Sequence, residues 1–422
     1  MKVTGIIAEY NPFHNGHQFH IQKARELTGA DYIVVIMSGD YTQRGTPAIF
    51  NKYVRAKAAL LSGADLILEM PVYGSVVSAQ DFASCGVNSL SATGICDCLF
   101  FGSEAGDIEL LKKQAEFMSG ESEEVSALIK EGLKSGLSWP AALAKAHGTN
   151  VSTANAAAEN ASVEKANVVQ ELVATTPNDI LGIEYIKAIN KLHSDMQPVT
   201  IKRTDPGYHS EERSSSFASA TAARKAILEA NYDFAHEVLP DSLFECLAEE
   251  SCPPITFDDF SLLLGERLLN MPLETMMNVS GMPEDLARKF YKNRMEFLKA
   301  SELVAARKDR QYTYTRVNRC LLNLMLGITK DDMETFKSYD MVPWLRILGF
   351  RKDAGALLSE LKKNASAPII TKTANAASIL SEPDRFALFE KHLNTSELYR
   401  LSCQLRNGRS MKNEYTRSII IV

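Results

Sequence analysis

The stretch Ala8-Glu9-Tyr10-Asn11-Pro12-Phe13-His14-Asn15-Gly16-His17 decides how this chain is read. The apolar run Val3 to Ala8 reads as a buried strand. From Gln18 to Thr28, Phe19, Ile21, Ala24 and Leu27 recur at mixed three- and four-residue spacing, the pattern of an amphipathic helix. A His-x-Gly-His turn between a strand and a helix start is suited to holding phosphate. The helix start offers unpaired N–H groups and the positive end of its dipole. Gly16 lets the backbone approach a ligand closely, and the imidazoles add donors. Three of the eight histidines, His14, His17 and His20, fall within seven residues here.

Outward from this turn, strand and helix patterns alternate. Tyr32 to Met37, Leu66 to Leu68 and Cys98 to Phe101 read as strands; Asn51 to Ser62 and Ser78 to Leu90 read as helices. Short apolar strands with helical crossovers predict an α/β fold, a Rossmann-like doubly wound parallel sheet with helices on both faces. The turns Ser38-Gly39-Asp40, Glu69-Met70-Pro71 and Gly102-Ser103-Glu104 end strands, so they converge on the side where His14 and His17 sit. Residues 108 to 147 read as helical. Thr149 to Val173, rich in Ala, Asn, Ser and Val, reads as an insertion. A strand resumes at Val199 to Lys202, and a helix follows from Ala218 to Glu229. From about Ala235 the pattern is helical throughout, punctuated by Pro240, Pro253-Pro254 and Pro272. The expected division is therefore 1–232 for the sheet domain and 233–422 for a mainly α-helical C-terminal domain.

Composition narrows the class. The 422 residues are 45% hydrophobic and 23% charged, ordinary values for a globular protein with a large core. A formal charge of -6 gives no global pull toward nucleic acid, so any RNA contact must come from local basic patches. Met1-Lys2-Val3-Thr4-Gly5 leads straight into a strand, and no apolar run approaches bilayer length, so neither a secretory leader nor a membrane partner is expected. Seven scattered cysteines fit a reducing cytoplasm. The close pair Cys96 and Cys98 reads as small core residues, and no metal ligand is assigned.

A second segment, Phe217-Ala218-Ser219-Ala220-Thr221-Ala222-Ala223-Arg224, places Ser219 and Thr221 where a helix start needs side-chain oxygens, with Arg224 able to hold phosphate. With its His-x-Gly-His turn, the chain resembles the HxGH nucleotidyltransferase superfamily, whose paired histidines contact the nucleotide around the reacting α-phosphate. Met37-Ser38-Gly39-Asp40-Tyr41-Thr42-Gln43-Arg44-Gly45, Ala64 to Pro71, Phe101-Gly102-Ser103-Glu104, Pro177 to Tyr185 and Leu345 to Phe350 extend the likeness. They make the chain similar to the bacterial tRNA(Met) cytidine acetate ligases over almost its whole length. The stretch Thr149 to Val173 is longer and more Ala/Asn-rich than that family's pattern.

The resemblance implies activation of acetate with ATP to acetyl-adenylate. Acetyl transfer to the wobble cytidine of elongator tRNA(Met) would follow, forming N4-acetylcytidine. It puts ATP on Ile7-Ala8-Glu9-Tyr10-Asn11-Pro12-Phe13-His14-Asn15-Gly16-His17-Gln18-Phe19-His20, Gly102, Asn178 and Arg203. His14, His17 and Arg203 are the expected catalytic residues, with Ser219, Thr221 and Arg224 on the leaving pyrophosphate. Gly102 would leave room for adenine or ribose, Asn178 can donate and accept, and Arg203 can fork onto phosphate. Mg²⁺ is expected from ATP chemistry. A homo-oligomer is left open.

RNA contact is expected where cations and aromatics interleave, at Arg307, Lys308, Arg310, Tyr312, Tyr314, Arg316 and Arg319. A second basic group holds Arg346, Arg351 and Lys352. Lys52 and Arg55, one turn apart, either face the anionic ligand or lie on a solvated helix face. Two other functions compete: adenylylation of a small phosphorylated metabolite, and a non-catalytic ATP- or RNA-binding role. A large helical half bearing basic–aromatic patches disfavours the first, and retention of both histidines and Arg224 disfavours the second. An aminoacyl-tRNA synthetase is disfavoured because the chain has no Lys-Met-Ser-Lys-Ser segment.

Overall fold

Five apolar runs form the parallel strands that the patterning predicts: β1 (Val3–Ala8), β2 (Tyr32–Ser38), β3 (Leu66–Met70), β4 (Cys98–Ser103) and β5 (Gln197–Lys202). A computed structural model of the chain describes residues 1–119, 128, 131–132, 176–203, 218–308 and 311–422. The expected insertion at 149–173, most of the helix expected over 108–147, Phe217 and Arg310 lie outside these residues. The strands stand in the order β5-β4-β1-β2-β3, all parallel. The chain runs from β1 outward through β2 to β3, then returns to the other side of β1 for β4 and β5. That reversal makes the crevice at the carboxyl ends of β1 and β4 the topological switch point, where open α/β sheets bind ligands.

The crossovers are helical: α1 (Asn15–Thr28), α2 (Lys52–Leu61), α3 (Ala79–Ala92), α4 (Ile108–Ser119) and α5 (Pro177–Lys191). Helix α1 begins at Asn15, three residues earlier than the patterning suggests, because His14 caps it with its own imidazole. Beyond β5, the chain forms a run of helices that includes α6 (Ala220–Leu228), α7 (Tyr314–Leu326) and α8 (Pro383–Asn407).

The expectation of helix throughout the region after 235 needs correction. Leu345–Phe350 is a strand, β6, that pairs antiparallel with β3 and carries β7 (Ile369–Ile370) and β8 (Ile420–Ile421) beside it. The C-terminal half thus completes the N-terminal sheet. A six-residue apolar segment between helices gives no periodicity that separates strand from buried helix.

Buried ions fasten this junction. The Glu69 carboxylate on β3 meets Lys52 Nζ at 2.8 Å and Arg346 Nη1 at 2.7 Å, and Glu414 bonds Arg346 at 2.5 Å and approaches Lys52 at 3.2 Å. Burial alone would raise both carboxyls, but Lys52 and Arg346 outweigh it and hold Glu69 well below the carboxylate range and Glu414 at about 2. Two sequence expectations fall here. Arg346 is 4% exposed and has no RNA-facing surface, and Lys52 is fully buried, neither solvated nor facing a ligand. A fully paired cation can be buried where an unpaired one cannot.

Candidate active site

The site is built on the turn between β1 and α1. His14 takes φ -138° and caps α1: its Nδ1 accepts from the Gly16 N–H at 3.1 Å. His17 returns the favour, its Nδ1 accepting from the His14 N–H at 3.3 Å, so two histidines form a reciprocal capping box. The rings stack with centroids 3.7 Å apart. Because each Nδ1 accepts, each neutral ring carries its proton on Nε2. These Nε2–H groups are the donors an anion would meet at the turn, that of His17 in exchange for the Pro12 carbonyl. The Gly16 amide, one of the N–H groups at this helix start, is taken by His14.

The surroundings keep His17 neutral. Burial, the neighbouring His14 and the charge of Arg203 push it well below its ordinary range, against a hydrogen bond to the Pro12 carbonyl. Burial and Arg203 likewise bring His20 to about 4, and its ring packs 4.8 Å from that of Phe100 on β4. A neutral imidazole donates a hydrogen bond to phosphate without the desolvation cost of a buried cation. Tyr10, at φ +50°, lies edge-on to Phe13 and His17 with centroids 4.9 Å from each. It fixes the His17 ring from behind.

The residues expected around the turn do converge there. Gly102 is the last residue but one of β4, and Arg203 directly follows β5, its neighbour. A Cβ on Gly102 would lie 2.9 Å from Arg203 Cγ, so this glycine makes room for the Arg203 stem. Asn178 sits in the first turn of α5 and donates to Glu104 Oε1 at 2.5 Å, while the Asp179 N–H reaches Glu104 Oε2 at 3.1 Å. Ser219 caps α6 by accepting from Ala222 N–H at 3.2 Å. Arg224 donates to the Asn11 carbonyl at 2.6 Å and to Thr221 Oγ1 at 3.0 Å, which brings the second motif onto the first.

Arg55 serves neither of the roles expected of it. It is fully buried on α2, and its guanidinium donates to the carbonyls of Glu9 (2.6 Å), Ser38 (3.1 Å), Phe50 (2.9 Å) and Gly39. One cation thus ties the carboxyl ends of β1 and β2 together below the turn. Asn11 adds a further brace, its Oδ1 accepting from Ile49 N–H at 2.8 Å.

A sequence model of the HIGH nucleotidyl transferases matches residues 1–414. The chain is 34% identical to the tRNA(Met) cytidine acetate ligase of Acetivibrio thermocellus, covering 100% of both chains. It is 37% identical to that of Thermoanaerobacter sp. (strain X514), over 95% of this chain and 96% of the relative. The chain belongs to the HIGH nucleotidyl transferase family, among the tRNA(Met) cytidine acetate ligases. Thermotoga maritima TmcAL bound with alpha-thio ATP superimposes on it with a TM-score of 0.87 at 28% identity, with full coverage of both chains.

Within this family fold, the expected RNA residues scatter. Arg316 is exposed on α7, its guanidinium 5.2 Å from the Tyr312 ring centre. Arg307 is half-buried, 4.0 Å from Glu296, and Lys308 is exposed. Arg351 follows β6, which is antiparallel to β3, so it lies at the amino ends of the parallel strands, away from the histidines. It pairs there with Asp353 at 3.1 Å and lies 3.8 Å from Asp65.

The loop from Tyr41 to Pro47 carried a motif to which the sequence assigned no role. Its Gln43 N–H donates to Glu9 Oε1 at 2.6 Å, which places the loop directly against the turn. Burial raises the Glu9 carboxyl, against the opposing charges of Arg44, Arg55 and Arg224. The Gln-Arg-Gly sequence was the available signal, since a glycine after an exposed cation marks a tight turn.

Proposed function

We propose that the chain is an ATP-dependent tRNA(Met) cytidine acetate ligase. The observation that carries this reading is the pair of stacked histidines at the switch point, His17 held neutral, with Arg203 and Arg224 beside them. A site of this kind stabilises charge on a phosphoryl group and supplies no nucleophile of its own.

In the first step an acetate oxygen forms a bond to the α-phosphorus of ATP, and the bond from that phosphorus to pyrophosphate breaks. His14 and His17 donate from Nε2 to the α-phosphate oxygens, and the start of α1 adds its dipole. Arg203, which acts on both His17 and His20, stands on the adenylate side. Ser219, Thr221 and Arg224 face the leaving pyrophosphate. Asn178 at the start of α5 and the backbone of Ile7 to His20 hold the nucleoside. In the second step the N4 amine of the wobble cytidine bonds to the acetyl carbon, AMP leaves, and the amine loses a proton.

Mg²⁺ would ride on the ATP phosphates and offset their charge. Among the described residues, no group of three or more His, Cys, Asp or Glu side chains could hold a metal by itself. No described helix is long and apolar enough to cross a membrane. We place the enzyme in the cytoplasm, where tRNA and ATP are found.

The test is incubation of the protein with ATP, labelled acetate and tRNA(Met), followed by nucleoside analysis. Labelled N4-acetylcytidine is the expected product. Its absence with every tRNA pool tried would refute the reading.

A further inference from the structure

Four arginines gather on one side of the histidine turn with no ion-paired carboxylate among the described residues, the Glu9 carboxylate acting on Arg44 and Arg224 at longer range. Arg44 is exposed at the tip of the β2–α2 loop and makes no hydrogen bond or ion pair with its side chain among the described residues. Arg224 bonds only neutral oxygens. Arg319 on α7 donates to the Gln43 carbonyl at 3.3 Å, and Arg316, one turn earlier, rests on Tyr312. None of the four enters an ion pair with another described residue. The charge of Arg44 acts on Arg224, offset in part by Glu9, and that of Arg316 acts on Arg319. In a chain of formal charge -6, such a like-charged cluster is held against its own repulsion.

The loop that carries Arg44 is built to be rigid. Thr42 N–H donates to the Thr46 carbonyl at 2.9 Å, Gly45 N–H to the Thr42 carbonyl at 2.9 Å, and Thr42 Oγ1 to the Thr46 carbonyl at 3.0 Å. Gly45 takes φ +78°, and a Cβ there would lie 2.4 Å from the backbone nitrogen of Arg319. The tip therefore seats directly on α7, which makes Arg44, Arg319 and Arg316 one continuous edge. Through Gln43 and Glu9 that edge runs into the histidine turn.

We infer that this edge, Arg44 with Arg319 and Arg316, is the docking surface for the RNA backbone flanking the target nucleotide, with Arg44 the phosphate contact nearest the reacting centre. The inference rests on the tRNA reading and sharpens it: the acceptor enters over the β2–α2 loop. A polyanion relieves the repulsion among the arginines, and exposed Tyr314, at the start of α7, adds a ring on which a base can stack. Arg351, at the far end of the sheet, and buried Arg346 have no part in it.

The experiment compares full-length wild type with Arg44→Ala, Arg44→Lys and the double variant Arg44→Ala/Arg316→Ala. Binding of unfractionated tRNA is measured across a salt series, and acetate-dependent pyrophosphate–ATP exchange is measured without RNA. Arg44→Ala should weaken tRNA binding roughly tenfold and lower the slope of log affinity against log salt by about 1. The double variant should lower that slope by about 2. Arg44→Lys should restore the slope, and exchange should stay within about twofold of wild type in all variants. Unchanged affinity and slope in Arg44→Ala would overturn the inference. Lost exchange with intact tRNA binding would overturn it as well, by placing Arg44 on the ATP. Wild type that binds no tRNA would instead refute the RNA reading on which the inference stands.

Discussion

Replacing Arg346 by Ala should destabilise the fold without acting through an RNA surface. Arg346 bonds Glu69 at 2.7 Å and Glu414 at 2.5 Å in a fully buried setting. Its loss leaves Glu69 and Glu414 to share Lys52 with Asp40, and removing one partner of a buried pair costs about 3–5 kcal/mol. The acid side gives a second estimate. Lys52 and Arg346 together bring Glu414 from 4.5 to about 2 against the opposing effect of burial. At about 1.36 kcal/mol per pH unit this is on the order of 3 kcal/mol. The carboxyl is depressed in the fold, so this stability is present above pH 4.5 and is lost as pH falls toward 2. The difference between wild type and Arg346→Ala should therefore be largest near pH 7 and shrink below pH 4.5. Urea unfolding at several pH values measures it. A variant within about 1 kcal/mol of wild type at pH 7, but with weakened tRNA affinity, would refute the buried-network argument.

The remaining expectations concern the site. Gly45→Ala forces a side chain into φ +78° and into the α7 backbone, so it should cost about 1–3 kcal/mol in unfolding stability and loosen the loop. Equal stability would show that the loop gives way freely. Arg224→Ala removes the link between α6 and Asn11 and should slow acetate-dependent pyrophosphate exchange by about 10²-fold; a change under threefold would remove Arg224 from the pyrophosphate side. In the free protein, His17 and His20 should show no titration between pH 8 and 5.5, because burial and Arg203 hold both well below that range. Nitrogen-15 NMR should find the His14 and His17 rings protonated at Nε2 alone; a midpoint near 6.5 for His17, or a proton on its Nδ1, would contradict the capping geometry.

The sheet and its switch point were legible because β1 to β4 are short apolar runs ended by turn residues, and period and punctuation are local signals. The reciprocal cap of His14 and His17 was legible only in part. Spacing showed two rings at a helix start, but not that His14 would occupy the Gly16 amide and begin the helix at Asn15. Lys52, Arg55 and Arg346 were misread for one reason. A cation in a sequence looks like surface, and what buries these three is partners distant in sequence: Glu69 and Glu414 for two of them, the carbonyl ends of β1 and β2 for the third. The role of β6 was hidden the same way, since its partner β3 lies almost three hundred residues earlier. Arg44 escaped notice because the Gln-Arg-Gly turn acquires meaning only once α7 and the histidine turn are seen on either side of it.

The most direct measurement is the exchange of labelled pyrophosphate into ATP, with and without acetate and in the absence of tRNA, for wild type and His17→Ala. Exchange that requires acetate in wild type and disappears in a folded His17→Ala protein is the predicted result. Exchange independent of acetate, or undiminished in His17→Ala, would contradict the assignment of this turn as the centre that activates acetate.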